Sequence, residues 1–302
     1  MKNNVFEKAR QFTYRNARPV DLALWKYLFE GGKRSDVVDA LECYQNADGG
    51  FGHGIEPDFW NVNSTPMATW QAIGVLKEIG VDPDEQIVKN VFKYLDSGKD
   101  FKDGLWLRTV PSNNDHPRAV WWHYNEDEPC VNPSVSLAGF VLRYAPPHDS
   151  LYDKAVGIVK NAVSKFMAKP DTEMHTLNNF IELYEYCRAI DGFGLFDLDA
   201  FKAALCVAVD LAVCKDTDKW IKEYVCLPSS FYNGSKTIFD LVDRELCLKE
   251  GKMLLEAQGN DGAYPVPWLW YNDYTEYHVS ANMWKSIILR KNVRYLKDLG
   301  LI

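Results

Sequence analysis

Gln45-Asn46-Ala47-Asp48-Gly49-Gly50-Phe51-Gly52 and, after a polar and aromatic loop, Asn63-Ser64-Thr65-Pro66-Met67-Ala68-Thr69-Trp70-Gln71-Ala72-Ile73 decide how this chain reads. The first stretch ends an apolar-periodic helix over 35–46. Its glycines admit the left-handed backbone that stops a helix, and Phe51 folds back between neighbouring helices. The second stretch opens a new helix, with Asn or Ser as its N-cap and Pro66 in the first turn. The order helix, Asp-Gly turn, aromatic recurs. Helix 236–257 runs into Gln258-Gly259-Asn260-Asp261-Gly262-Ala263-Tyr264, and helix 85–97 is followed by Lys102-Asp103-Gly104-Leu105-Trp106. Asn132-Pro133-Ser134 and His278-Val279-Ser280-Ala281-Asn282 repeat the small, polar helix opening. Punctuation at intervals of several tens of residues is the mark of a repeat architecture.

Working outward, helical spacing dominates. Val88, Val91, Phe92 and Leu95 share one face; so do Ala155, Val159, Ala162, Val163 and Phe166, and Phe201, Leu205, Ala208, Val209 and Ala212. The pattern predicts twelve helices: 5–14, 20–30, 35–46, 65–79, 85–97, 133–144, 152–167, 174–190, 197–214, 218–227, 236–257 and 278–297. No stretch shows strand alternation flanked by hairpin turns. Six inner helices (20–30, 65–79, 133–144, 174–190, 218–227, 278–297) alternate with five outer ones, and helix 5–14 supplies the sixth outer member. The expected fold is all-α: an (α/α)6 toroid of helical hairpins around a central cavity, formed by one domain over 1–302. No Gly/Ser run, Pro-rich spacer or charge block offers a place to divide it.

The net charge of −8 comes from acids spread along the chain, which is not the clustered basic surface that nucleic acid requires. No apolar run is long enough for a membrane span. Met1 to Lys8 lacks the apolar core of a signal peptide, and the seven cysteines (Cys43, Cys130, Cys187, Cys206, Cys214, Cys226, Cys247) show no CxxC spacing. We therefore expect a cytoplasmic protein with reduced thiols, whose partner is a small-molecule ligand. Nothing in the sequence indicates an oligomeric state.

The stretch from Gln45 to Gly52, continued by Asn63 to Ile73, resembles the repeat of squalene and hopene cyclases and of protein prenyltransferase β subunits, Q-x-x-D/N-G-G-W/F-G followed by an inner helix. Gln258 to Trp270 with Tyr277-His278-Val279-Ser280 is a weaker second copy. The resemblance covers about a third of the chain and implies the α/α toroid, with an isoprenoid or other hydrophobic ligand in a terpenoid-cyclase or prenyltransferase-like cavity. The family's chemistry does not carry over. Where the cyclases place D-x-D-D-T, this chain has Asn61-Val62-Asn63-Ser64-Thr65, and an amide cannot protonate an alkene. Where the prenyltransferases bind zinc through Asp, Cys and His, Asp261 and His278 are present but the Cys position is Ala263. We expect neither metal nor cofactor. Lanthipeptide cyclases and complement-like thioester domains share the fold class, but their Cys-His and GCGEQ motifs are absent.

A toroid gathers the loops before its inner helices at one mouth. Three such loops, 53–61, 116–128 and 268–278, hold five of the ten tryptophans. They nominate Asp58, His278 and Glu56 as catalytic groups, with Asp58 or His278 moving the proton. They nominate Trp60, Asn61, Asn63, Trp121, Trp122, His123, Trp268, Trp270, Tyr274 and Tyr277 as the substrate-binding wall. Bland roles stand beside these. Trp60, Trp106 and Trp268 also suit wedges between hairpins, and Glu56 and Asp58 suit caps or ion pairs. Glu126-Asp127-Glu128 suits a solvated surface, and His175 a structural hydrogen bond.

Three functions follow. One is an enzyme on an isoprenoid, whose cations tryptophan faces stabilise. Another is a carbohydrate-active enzyme, with sugar stacked on the same rings between carboxylates. The third is a non-catalytic binding or scaffold module presenting a concave face.

Overall fold

A computed structural model describes residues 2–126 and 130–302. Among these the chain is helical: α1 (Lys2–Asn16), α2 (Pro19–Phe29), α3 (Arg34–Glu42), α4 (Pro66–Ile79), α5 (Gln86–Asp96), α6 (Ser134–Tyr144), α7 (Ser150–Ala168), α8 (Met174–Arg188), α9 (Leu198–Ala212), α10 (Ile238–Leu241), α11 (Arg244–Ala257) and α12 (Tyr277–Asp298). Among the described residues no helix is long and apolar enough to cross a membrane. Local chemistry explains the starts. Thr65, in place of the Asn or Ser expected, caps α4 by accepting the Ala68 N–H at 3.0 Å, with Pro66 in the first turn as expected. Asp149 caps α7 and Asp197 caps α9 in the same way.

Three expectations are corrected. Residues 218–227 form turns, not a helix. The Trp220 indole donates to the Cys214 carbonyl at 2.9 Å, and Ile221 sits at a left-handed φ of 69°, which a helix cannot hold. The loop closes with the Cys214 N–H on the Cys226 carbonyl, and a 3-10 turn at Pro228–Phe231 follows. The helix expected over 236–257 is broken at Val242, because Asp243 caps a fresh helix by accepting the Glu245 N–H at 2.8 Å. The absence of strands is also corrected. Phe101–Lys102 (β1) pairs antiparallel with Leu105–Trp106 (β2) around Asp103-Gly104, both at positive φ, as a two-residue hairpin turn demands.

Helix α2 packs on α3 and α4, α4 on α6, α6 on α7 and α8, and α8 on α9 and the Pro228–Phe231 turn. The last helix, α12, lies against α11, α1 and α2. One continuous cluster of buried apolar side chains runs from Val5 to Leu299.

The two Gln/Asp-Gly turns have the same construction. Gln45 donates through Nε2 to the Gly49 carbonyl and to the Ile87 carbonyl at the start of α5, both at 3.0 Å. Gln258 donates to the Gly262 carbonyl and to the Val5 carbonyl in α1, both at 2.9 Å. Gly49 has φ 96°, and a Cβ there would stand 2.1 Å from the Asn90 carbonyl oxygen; Gly262 has φ 93°, with its Cβ site 2.3 Å from the Lys8 carbonyl oxygen. Asn90 and Lys8 lie the same distance along their helices from Ile87 and Val5. Thus α1 stands to the C-terminal turn as α5 stands to the first, although α1 is the first helix of the chain.

Candidate functional site

The three loops nominated from the sequence do meet. The Trp60 N–H reaches the Pro117 carbonyl at 2.9 Å, Ala119 N–H the Asp58 carbonyl at 2.8 Å, and Val120 N–H the Trp270 carbonyl at 3.2 Å. Asn272 donates to the Arg118 carbonyl at 2.6 Å. Asp58 ties the first and third loops together: Oδ1 accepts the Trp270 indole N–H at 2.7 Å and Oδ2 that of Trp268 at 3.1 Å. Burial pushes its carboxyl up, and the indoles, with Trp284 nearby, partly offset this.

The loops use their polar groups on one another. Glu56 is buried, and its Oε2 accepts the backbone N–H of Asp58 at 2.7 Å and Phe59 at 3.1 Å. Burial, with Asp58 close by, raises its carboxyl well above the usual range. Asn61 is fully buried and saturated: Nδ2 donates to Ser112 and Asn113, while Oδ1 accepts from Asn63. Trp122 is buried against Phe59, its ring centroid 5.1 Å away, with the Arg108 guanidinium over its own ring. Trp60, half-buried, donates to Ser280 at 2.9 Å, and Tyr277 donates its hydroxyl to the Trp268 carbonyl at 2.8 Å. Trp106, fully buried with its indole N–H on the Leu95 carbonyl, is a wedge. Asn63, Tyr274 and His278 are exposed, and the His278 ring leans edge-on against Tyr277. His123 is exposed and held by Arg118. With Trp121 and Arg108 it lines a cleft of about 290 Å³ beside the β1–β2 hairpin. His175 shares a 3.0 Å hydrogen bond with the Tyr224 hydroxyl, the structural role weighed for it. Asp127 and Glu128 lie outside the described residues.

A cavity of about 220 Å³ lies elsewhere, between α2, α4, α8, α12 and the segment after the Pro228–Phe231 turn. Asp58, Glu56 and His278 do not line it; Trp70, Lys77, Glu78, Glu182, Arg290 and Lys291 do. Most of its charges are paired. Arg18 holds Asp21 at 2.7 Å, Lys77 holds Glu185, and Arg290 and Arg294 both hold Glu78. Burial pulls the Lys77 ammonium down, but Glu185 and Glu182 more than offset it; burial pushes Glu185 up, and Lys77 brings it below its ordinary value. Lys291 and Glu182 are the exceptions, and Glu182 accepts instead from the Trp70 indole and the Ser136 hydroxyl. Neither forms an ion pair among the described residues, and burial, only partly offset by Glu250 and Glu78, lowers Lys291 to about 8. Behind it Glu250 accepts the Ser229 N–H at 2.9 Å and the Tyr295 hydroxyl at 3.2 Å, and burial raises it to about 7.

Sequence reasoning passed over this cavity by searching loops for chemistry. The signal available was charge on helices read as inner: Lys77-Glu78 in α4, Glu182 and Glu185 in α8, Arg290-Lys291 and Arg294 in α12. Among the described residues, no group of three or more His, Cys, Asp and Glu side chains is placed to hold a metal. Comparison with models of known protein families, with characterised proteins and with solved structures yields no match.

Proposed function

We propose that the chain is an α/α toroid that binds a small polar molecule in the cavity between α2, α4, α8 and α12. The closure of the ring is supported by the equivalence of the two turns, which gives α1 the place of the outer helix after the last hairpin. The fifth inner position belongs on this reading to the Pro228–Phe231 turn, which packs on α8 and sends the Ser230 carbonyl toward Lys291.

The charged lining carries the choice of ligand. A cavity walled by Lys77, Glu78, Glu182, Arg290 and Lys291 strands buried charge against a hydrocarbon but solvates a polar ligand. It favours a polar molecule, sugars included, over the isoprenoid that the family resemblance implies. The interlocked loops at Asp58 and His278 are, in this reading, the lid and brace of the ring rather than its chemistry. A cytoplasmic location agrees with all seven cysteines being free.

Native mass spectrometry of protein purified from cells tests the assignment. A polar small molecule should co-purify and leave on Lys77→Met or Glu182→Gln substitution. A bound apolar lipid, or a chain that stays empty in lysate and purified form alike, overturns it.

A further inference from the structure

Two lysines line the cavity, and their surroundings differ. Lys77, on α4, is held by Glu185, and Asn233 donates to the same carboxylate at 2.8 Å. Lys291, on α12, makes one hydrogen bond among the described residues, to the Ser230 carbonyl at a long 3.4 Å. The carboxylates that act on it from neighbouring elements, Glu250 on α11 and Glu78 on α4, are engaged elsewhere. Glu250 accepts the Ser229 hydroxyl through Oε1, and through Oε2 the Ser229 N–H and the Tyr295 hydroxyl. Glu78 gives Oε1 to Arg290 and Oε2 to Arg294. The cavity thus holds one lysine with a carboxylate of its own and one without.

An amine so placed holds its proton poorly. Burial disfavours the Lys291 ammonium, Arg290 beside it adds a like charge, and Glu250 and Glu78 offset this only in part. Burial raises Glu250 itself to about 7 and pushes the nearby Cys226 thiol up to about 12, so neither is a full counter-charge near neutral pH. At the start of α8, burial lowers His175, with Arg108 and Lys291 adding to the effect, and its ring brings no negative charge either. Lys291 moves from 10.5 to about 8, which raises its neutral fraction at pH 7 on the order of a hundredfold. At Lys77 burial acts in the same direction, but Glu185 and Glu182 more than offset it and the ammonium persists.

We propose that Lys291 is a nucleophile toward a small polar aldehyde or ketone bound in the cavity, its neutral amine forming an imine with the carbonyl carbon. The inference rests on the cavity being the ligand site. The Nζ lone pair adds to the carbonyl carbon. The carbonyl oxygen takes up the two hydrogens of the amine and leaves as water, so that one C=N bond replaces one C=O bond. Desolvation beside a cavity, with no carboxylate to hold the ammonium, is the arrangement that activates a lysine for this step. The Ser230 carbonyl accepts an N–H from Nζ without supplying the negative charge that would fix the proton. Gln71 and Asn178, which also line the cavity, offer amides to the hydroxyl groups of such a ligand.

Reductive trapping tests the proposal. The full chain is treated at pH 7 with glycolaldehyde, a small neutral hydroxyaldehyde, and with cyanoborohydride, which reduces an imine to a stable amine; peptide mass spectrometry then locates the modified residues. Lys291 should be modified about tenfold faster than Lys77 and than the exposed lysines, because its lower basicity cancels part of the gain in neutral amine. Its rate should level off above about pH 8, while the exposed lysines go on gaining. Unfolding in urea should erase the difference. Lys291→Met should lose the fast site and leave the other lysines as they were. Lys291→Arg, which keeps the charge, is a second variant, with circular dichroism verifying the fold, and the map of the unaltered chain decides the matter even if neither variant folds. Modification of Lys291 no faster than that of the exposed lysines, whether the amine is protonated or out of the aldehyde's reach, overturns the nucleophile. So does equal modification of Lys77 and Lys291. In either case a polar molecule that co-purifies and leaves on Lys77→Met substitution keeps the cavity as a ligand site; its absence as well overturns both readings.

Discussion

Gly262→Ala tests the joint between the two ends of the chain. Two costs are expected. Gly262 has φ 93°, and an alanine in the left-handed half of backbone space costs about 1–2 kcal/mol. The new Cβ also stands 2.3 Å from the Lys8 carbonyl oxygen and 2.7 Å from its carbon, atoms fixed in the α1 backbone. Moving α1 away by the missing ångström costs what overpacking usually does, about 1–3 kcal/mol. The total is about 2–5 kcal/mol. At about 2 °C per kcal/mol for a large chain, Tm should fall by roughly 4–10 °C. Gly98→Ala is the control, because Gly98 has φ 75° but nothing within 4 Å of its Cβ site. It carries the backbone cost without the collision and should lose only the first part. Urea unfolding followed by circular dichroism gives both numbers, and hydrogen exchange shows where the damage falls. Amides of α1 should lose protection in Gly262→Ala and keep it in Gly98→Ala. Equal losses in the two variants, or unchanged α1 protection, would refute the claim that α1 is clamped to the Gln258 turn.

Glu250 should make stability depend on pH. Its carboxyl rises from the ordinary 4.5 to about 7, so between these values the folded chain keeps a proton that the unfolded chain releases. Its contribution is therefore complete below pH 4.5 and is lost as pH climbs through 7, by up to about 3 kcal/mol. Glu250→Gln, which cannot titrate, should gain on the unaltered chain by that amount between pH 5 and 7.5 in urea melts; parallel pH profiles would count against it. Asp58→Asn leaves one indole N–H facing an amide N–H, so it should cost about 1–3 kcal/mol and alter tryptophan fluorescence. Exposed His278→Gln should stay within about 0.5 kcal/mol of the unaltered chain. A reversed order of these two would mean that Asp58 is not the clasp between the loops.

Much of the architecture was legible in one dimension because helices are local. Apolar residues at helical spacing, Thr65-Pro66 at a helix start and glycines after Gln45 and Gln258 depend on near neighbours in sequence, and the structure obeys them. The failures were also local in origin. Asp243 restarts a helix inside an unbroken apolar pattern, and Trp220 holds residues 214–227 as a folded loop whose spacing alone suggested a helix. The sequence by itself could bring loops 53–61, 116–128 and 268–278 together, since each borders a predicted inner helix. It could not say that Asp58 would be used up by two indoles more than two hundred positions away, or that His278 would face solvent. Nor could it separate the paired charges of α4, α8 and α12 from the two left over. Whether Lys77 or Lys291 finds a carboxylate depends on distances between helices far apart in the chain, and only tertiary packing sets those distances. Electrostatic pairing acts through space over a few ångströms, while sequence records only neighbours along the chain.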